Sequence, residues 1–260
     1  MSSLKAIIFD VDGTLADTER HGHRVAFNRA FHEFDVPWDW DENMYAQLLA
    51  ITGGKERIRH YVEHYVAGEE IPTDLTLFTK SVHARKTEIY VDMACRGQIL
   101  LRPGVERLIS DIKDADVRIA IATTTTLANV IALFTATLGL EALDWFEVIG
   151  AGDMVDKKKP APDIYHYVLD KLGLPAHSCM AIEDSANGLQ SSLAANLCTV
   201  ITANAYTRDD NFKGAALVVD GIGTPESPFA CLQGNAYGAE RVGLPLLSKL
   251  LAASHSTIQL

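Results

Sequence analysis

The chain has 260 residues, 48% of them hydrophobic, and a formal net charge of −11 at pH 7. That length suffices for one large or two modest units with buried cores, and the acidic balance argues against nucleic-acid or anionic-membrane partners. No apolar run approaches the roughly 20 residues that span a bilayer.

The first apolar run starts almost at the N-terminus, so no signal or transit peptide is expected within this sequence. A cytoplasmic protein is expected, or one of an organelle stroma if a transit peptide was removed. The four cysteines, Cys95, Cys179, Cys198 and Cys231, form no C-x-x-C pair, so neither a zinc site nor a redox motif is expected.

In chain order, Leu4 to Ile8 reads as a strand buried on both faces. Phe9-Asp10-Val11-Asp12-Gly13-Thr14-Leu15 follows. On an extended strand, positions i and i+2 point the same way, so the carboxylates of Asp10 and Asp12 leave the sheet end together. Two like charges so close raise each other's pKa unless a cation offsets them, and Mg²⁺ with oxygen ligands is a natural candidate. The plainer reading is an Asp-Gly turn between strands; the sharper one is a carboxylate nucleophile beside a metal.

Residues 16–98 carry helical patterns uninterrupted by a strand: Ala16 to Phe34, Glu42 to Ala50, Lys55 to Val66, and Asp74 to Cys95. From Gln98 the character changes. Helices are expected from Leu101 to Asp114, Thr126 to Leu138, Asp163 to Leu172 and Ser185 to Ala195. Strands are expected at 117–122, 146–149, 180–182, 198–201 and 216–219, and a last amphipathic helix at Pro245 to Ala253. Alternating strands and helices imply a parallel sheet with right-handed crossovers. The expected fold is therefore α/β, a doubly wound, Rossmann-like parallel sheet with an inserted all-helical cap. The core takes residues 1–15 and 99–240, the cap 16–98, and the C-terminal helix and tail 241–260.

Ligands of such sheets bind at the carboxyl ends of the strands, where strand order reverses. Asp10, Asp12, Thr123, the loop before Lys159, and Glu183-Asp184 all fall at such ends. Thr123 to Thr126 offer hydroxyls and free N–H groups at a helix start, suited to phosphate or to simple capping. Lys157-Lys158-Lys159-Pro160 reads as a solvated turn or as a source of one fixed ammonium at the sheet end. Glu183-Asp184 could cap the next helix or supply a metal carboxylate.

Asp10-x-Asp12-Gly13-Thr14, Thr123, Lys159-Pro160 and Glu183-Asp184 together resemble the four motifs of the haloacid-dehalogenase-like hydrolase superfamily, in order across nearly the whole chain. The insert after the first motif resembles that superfamily's helical cap. The resemblance to the phosphatase branch implies Asp10 as nucleophile and Asp12 as acid/base. It implies Mg²⁺ held by the Asp10 carboxylate, the Asp12 carbonyl and Asp184, with Thr123 and Lys159 holding phosphoryl oxygens. The second aspartate argues against C–halogen chemistry.

Asp10 to Glu19, Thr52-Gly53-Gly54-Lys55-Glu56-Arg57, Ala122 to Thr125 and Ala151 to Val155 resemble the CbbY-like sugar-phosphate phosphatases. That resemblance implies release of phosphate from xylulose-1,5-bisphosphate by what is expected to be a monomer. A bisphosphate needs a second cationic cradle. Gly53 and Gly54 allow close backbone approach; Thr52, Lys55 and Glu56 flank them. His83, Lys86 and Arg102 are further candidates, Glu19 and Asn129 could meet sugar hydroxyls, and Thr124 and Thr125 adjoin Thr123. The rivals are a β-phosphoglucomutase-like mutase, a phosphonoacetaldehyde hydrolase using Lys55, and a phosphosugar sensor on the same fold.

Overall fold

The computed structural model describes residues 3–68 and 72–257. Seven strands form one sheet: β1 (Ala6–Phe9), β2 (Arg118–Ala122), β3 (Phe146–Gly150), β4 (Cys179–Glu183), β5 (Cys198–Thr202), β6 (Leu217–Val219) and β7 (Cys231–Gly234). Their order is β3-β2-β1-β4-β5-β6-β7. β1 to β6 are parallel, and β7 runs antiparallel to β6.

The alternation of the strands divides the core into two layers. Ile7 and Phe9 of β1, with Ile119, Ile121, Met180 and Ile182, enter a large cluster on one face. Ala6, Ile8, Ala120, Ala122, Cys179 and Ala181 face the other way, against helix α7 (Asp163–Leu172). The first face is covered by α5 (Val105–Lys113), α6 (Leu127–Leu138) and α9 (Leu244–Thr257), which contribute Leu108, Val130 and Leu247 to its cluster. α8 (Ala186–Ala194) packs Leu189 against Ile201 and Val218. The doubly wound α/β fold is therefore as expected.

Between β1 and β2 lie α1 (Arg24–Glu33), α2 (Glu42–Leu48), α3 (Gly54–Tyr65) and α4 (Leu75–Cys95), and no strand among the described residues interrupts them. An aromatic group formed by Phe27, Phe31, Trp38, Trp40 and Tyr61 fills their interior. The first expected helix differs in detail. It opens not at Ala16 but as a π turn, Glu19–His23, that runs into α1.

β7 is a strand the pattern did not announce. All four of its residues are exposed, so Cys231-Leu232-Gln233-Gly234 carries no alternation of buried and open positions to read. No helix of the described residues is long and apolar enough to cross a membrane.

Candidate active site

The strand order turns at β1 and β4, and the ends of these two strands make the floor of the site. Asp10 follows β1 and is buried; its N–H donates to the Ile182 carbonyl at 3.0 Å. Lys159 Nζ lies 2.7 Å from Asp10 Oδ1, 2.6 Å from Glu183 Oε1 and 2.8 Å from the Ala122 carbonyl. One buried ammonium thus ties the ends of β1, β2 and β4 together. Burial opposes its charge, but Asp10 and Glu183 more than offset that and raise its pKa.

Burial pushes the Asp10 carboxyl up to about 7; Lys159 opposes the rise, and Glu183 and Asp12 add to it. Asp184 is raised well above the carboxylate range by burial, and then by Asp10 and Glu183. Asp10, Glu183 and Asp184 bring one carboxylate oxygen each within 4.8 Å of one another, and Glu183 Oε2 is buried without a hydrogen-bond partner among the described residues. Three crowded acids and an orphaned oxygen are the donor set that a hard, oxygen-seeking divalent ion fits. Gly13 makes the crowding possible. Its φ is +80°, and a Cβ there would lie 2.2 Å from Asp184 Oδ2.

The Asp12 carboxylate is not in that set and faces the inserted helices instead. Thr18 Oγ1 donates to Asp12 Oδ1 at 2.6 Å, and His23 Nε2 lies 2.9 Å from the same oxygen. Lys86 Nζ is 2.8 Å from His23 Nδ1. An ammonium can only donate, so Nδ1 accepts and the imidazole proton sits on Nε2, toward Asp12. Burial works against the Asp12 charge, but His23, Thr18 and Lys86 win and hold its pKa at about 2.

A cavity of about 270 Å³ opens above these groups, lined by Asp10, Asp12, Lys159 and Asp184 from the sheet end and by Glu19 and Arg57 from the insert. A second, of about 50 Å³, adjoins it. The two share Asp12, Glu19, Gly53, Arg57 and Thr124 in their walls. The second also carries two further cationic side chains, Lys86 and Lys158, with Gly54, Thr125 and Asn129. Gly53 has φ +99°, and a Cβ on it would strike Glu56 Oε2 at 2.1 Å.

Several expected residues are placed differently. Arg102 lines neither cavity. Its guanidinium donates to the carbonyls of Gly13, Thr202, Ala203 and Asp220, which makes it a clamp across the C-terminal ends of β1, β5 and β6. Lys55 also lies outside both walls and pairs with Asp153 at 2.9 Å. Glu56 pairs with Lys158 at 3.3 Å rather than facing a ligand. His83 does line the second cavity, but not as a cation: burial, then Lys86, Lys55 and Lys158, push its pKa down to about 3. Lys86 lines that cavity as well and bonds His23 Nδ1 at 2.8 Å. Thr123 is buried beneath the site, its Oγ1 accepting from the Thr125 N–H at 3.2 Å. Thr52 and Thr124 line the first cavity. Glu19 accepts from the Tyr45 hydroxyl at 2.5 Å.

Other residues of the site were not singled out from the sequence. Arg57 is buried in the insert, donating to Tyr45 Oη at 2.8 Å and to the Leu48 carbonyl at 3.1 Å. It is buried with Ile58 and Val62 of the same helix, but helical spacing gave it no mark, since Arg57 and Val62 lie about 140° apart. Lys158 was hidden in a run of three lysines. His23 was hidden by the π turn, since α-helical spacing does not put it beside Thr18.

A sequence profile of the haloacid dehalogenase-like hydrolases matches residues 4–196. The chain belongs to this family. It is 50% identical over 212 residues to Protein CbbY of Rhodobacter capsulatus, covering 82% of this chain and 91% of that one. Among solved structures it is similar to CbbY from Rhodobacter sphaeroides in complex with phosphate, with a TM-score of 0.78 and 45% identity over 84% of this chain and 94% of that one. A mutant of the same protein, in complex with xylulose-(1,5)bisphosphate, matches with a TM-score of 0.78 and 44% identity over the same shares. The expectation of a hydrolase acting on sugar phosphates agrees with these relatives.

Proposed function

We propose that this protein is a Mg²⁺-dependent phosphatase that converts xylulose-1,5-bisphosphate to xylulose-5-phosphate and inorganic phosphate. The observation that carries the reading is the pair of adjoining cavities. One holds the paired aspartates and the acidic cluster; the other is lined by Lys86 and Lys158, with Arg57 between them. A ligand with an anionic group at each end suits that arrangement, and the CbbY bisphosphate complex agrees with it.

In this reading the Asp10 carboxylate attacks phosphorus as the bond from phosphorus to the sugar oxygen breaks. Asp12, ionised in the free protein, takes up a proton from solvent as the anionic substrate binds beside it, and gives it from Oδ2, the oxygen that neither Thr18 nor His23 engages, to the departing alkoxide. Asp12 then takes a proton from water as that water attacks phosphorus and frees Asp10. Lys159, already bonded to Asp10 Oδ1, offsets charge on the transferring group. Mg²⁺ would be held by Asp10, the Asp12 carbonyl and Asp184, where it supplies neutralisation of the phosphoryl oxygens. The inserted helices act as a cap that keeps bulk solvent away while the acyl phosphate forms.

Phosphate release from a panel of sugar mono- and bisphosphates, with and without Mg²⁺ and with Asp10→Asn, tests this. Turnover that survives Asp10→Asn overturns the mechanism. An isomerised sugar phosphate in place of free phosphate would mark a mutase. A bisphosphate no better than the monophosphates would overturn the substrate.

A further inference from the structure

The loop after β5 comes back over the sheet end, and Asn204 stands at its start. Its Nδ2 donates to Asp184 Oδ2 at 2.7 Å and to the Gly13 carbonyl at 3.3 Å. Its Oδ1 accepts from the Tyr206 N–H at 2.9 Å, and its own N–H donates to Thr207 Oγ1 at 3.1 Å. The amide is therefore held at both ends. Its orientation is also determined, because the end facing a carboxylate must be the donor.

Asp184 needs such a partner. It is buried beside Asp10 and Glu183, whose charges drive it away, and an aspartate side chain has two free torsions to escape by. Asn204 opposes that escape at a single oxygen, leaving the other for a cation. The Gly13 carbonyl that shares this amide is also held by Arg102 Nη1 at 2.5 Å. The amide is thereby tied to a rigid part of the core and not only to a surface turn.

We propose that Asn204 is the positioning residue of the divalent-cation site, holding Asp184 in the orientation that ligation requires and so setting cation affinity. The same loop reaches the insert, where the Tyr206 ring lies 6.1 Å from that of Tyr45. The inference rests on the reading of Asp10, the Asp12 carbonyl and Asp184 as a cation site.

Titration calorimetry of the full chain with Mn²⁺ tests it on wild type, Asn204→Ala and Asn204→Ser. The wild type is expected to bind one ion. Asn204→Ala should weaken that binding about 10–100-fold, the usual cost of losing a residue that orients a ligand. Asn204→Ser, with a shorter donor, should also bind more weakly than wild type but lose less. The metal-free variants should keep the melting temperature of the wild type to within a few degrees. A wild-type Kd in whichever variant folds overturns the role of Asn204, as does a weakening matched by a collapse of the melting temperature in both. A wild type that binds no Mn²⁺ overturns the cation site itself, a separate result.

Discussion

Thr18 and His23, five positions apart, bond the same oxygen of Asp12. On an α-helix of 3.6 residues per turn, positions i and i+5 lie about 140° apart. The wider i→i+5 turn of a π-helix brings them to one side, and the π turn at Glu19–His23 occupies that interval. A five-residue separation is thus reconciled with a single target. Deleting the exposed His21 makes the separation four, which an ordinary α-helix also places on one face. The deletion variant is expected to keep kcat/KM within about threefold of wild type, since two near-equivalent geometries differ by well under 1.4 kcal/mol. A hundredfold loss in steady-state assays would show that the π geometry itself is required.

Lys158 and Lys55 separate the two ideas of how a distal phosphate is held. Lys158 lines the second cavity, whereas Lys55 does not. Lys158→Met should raise KM for the bisphosphate about tenfold, a loss of about 1.4 kcal/mol, and leave KM for monophosphates nearly unchanged. Lys55→Met should do less to either. The reverse order in KM measurements would return the cradle to Lys55.

Arg102 is expected to act on stability rather than on substrate. Its guanidinium serves four backbone carbonyls, three of the bonds part-buried and that to Asp220 exposed, and removing it leaves the part-buried acceptors unpaired, each at a cost of up to about 1–3 kcal/mol. Arg102→Ala should lower the unfolding free energy from urea titration by about 3 kcal/mol, with KM for the bisphosphate little altered in protein that remains folded. A large KM effect without loss of stability would contradict this.

Lys86 supplies a pH signature. Burial lowers its pKa from 10.5 to about 8, with Asp12 and Glu19 opposing the fall. The unfolded chain therefore holds this proton more tightly than the folded one. Stability rises with pH across that window, because the folded state no longer has to keep a buried charge. From about pH 8 to pH 10.5, wild type should gain about 3 kcal/mol relative to Lys86→Met, at 1.36 kcal/mol per unit. Denaturant titrations of both proteins at the two ends of the window measure it; a constant difference would argue against the buried ammonium.

Much of the fold was legible because burial on two faces leaves a mark. The strands at 6–9, 118–122 and 179–183 are near-continuous apolar runs, and the helix Asp163–Leu172 falls where its periodicity put it. β7 was not legible, since an exposed edge strand imposes no pattern on its side chains. The same contrast runs through the site. Asp10, Asp12 and Asp184 could be picked out because each stands just past the end of a strand, where local chain direction already aims the side chain, whereas Lys159 lies in the loop between β3 and α7 and was marked by the motif it completes.

The insert was read less well. Whether Arg57 or Lys55 enters the cavity, whether His83 carries charge, and whether Arg102 meets a ligand or four carbonyls depend on which helix packs on which. The sequence by itself determined the chemistry of the strand ends, since short-range geometry places those groups. Only the tertiary structure decided which cations remain to meet a ligand, because buried charges take as partners whatever packing brings within reach.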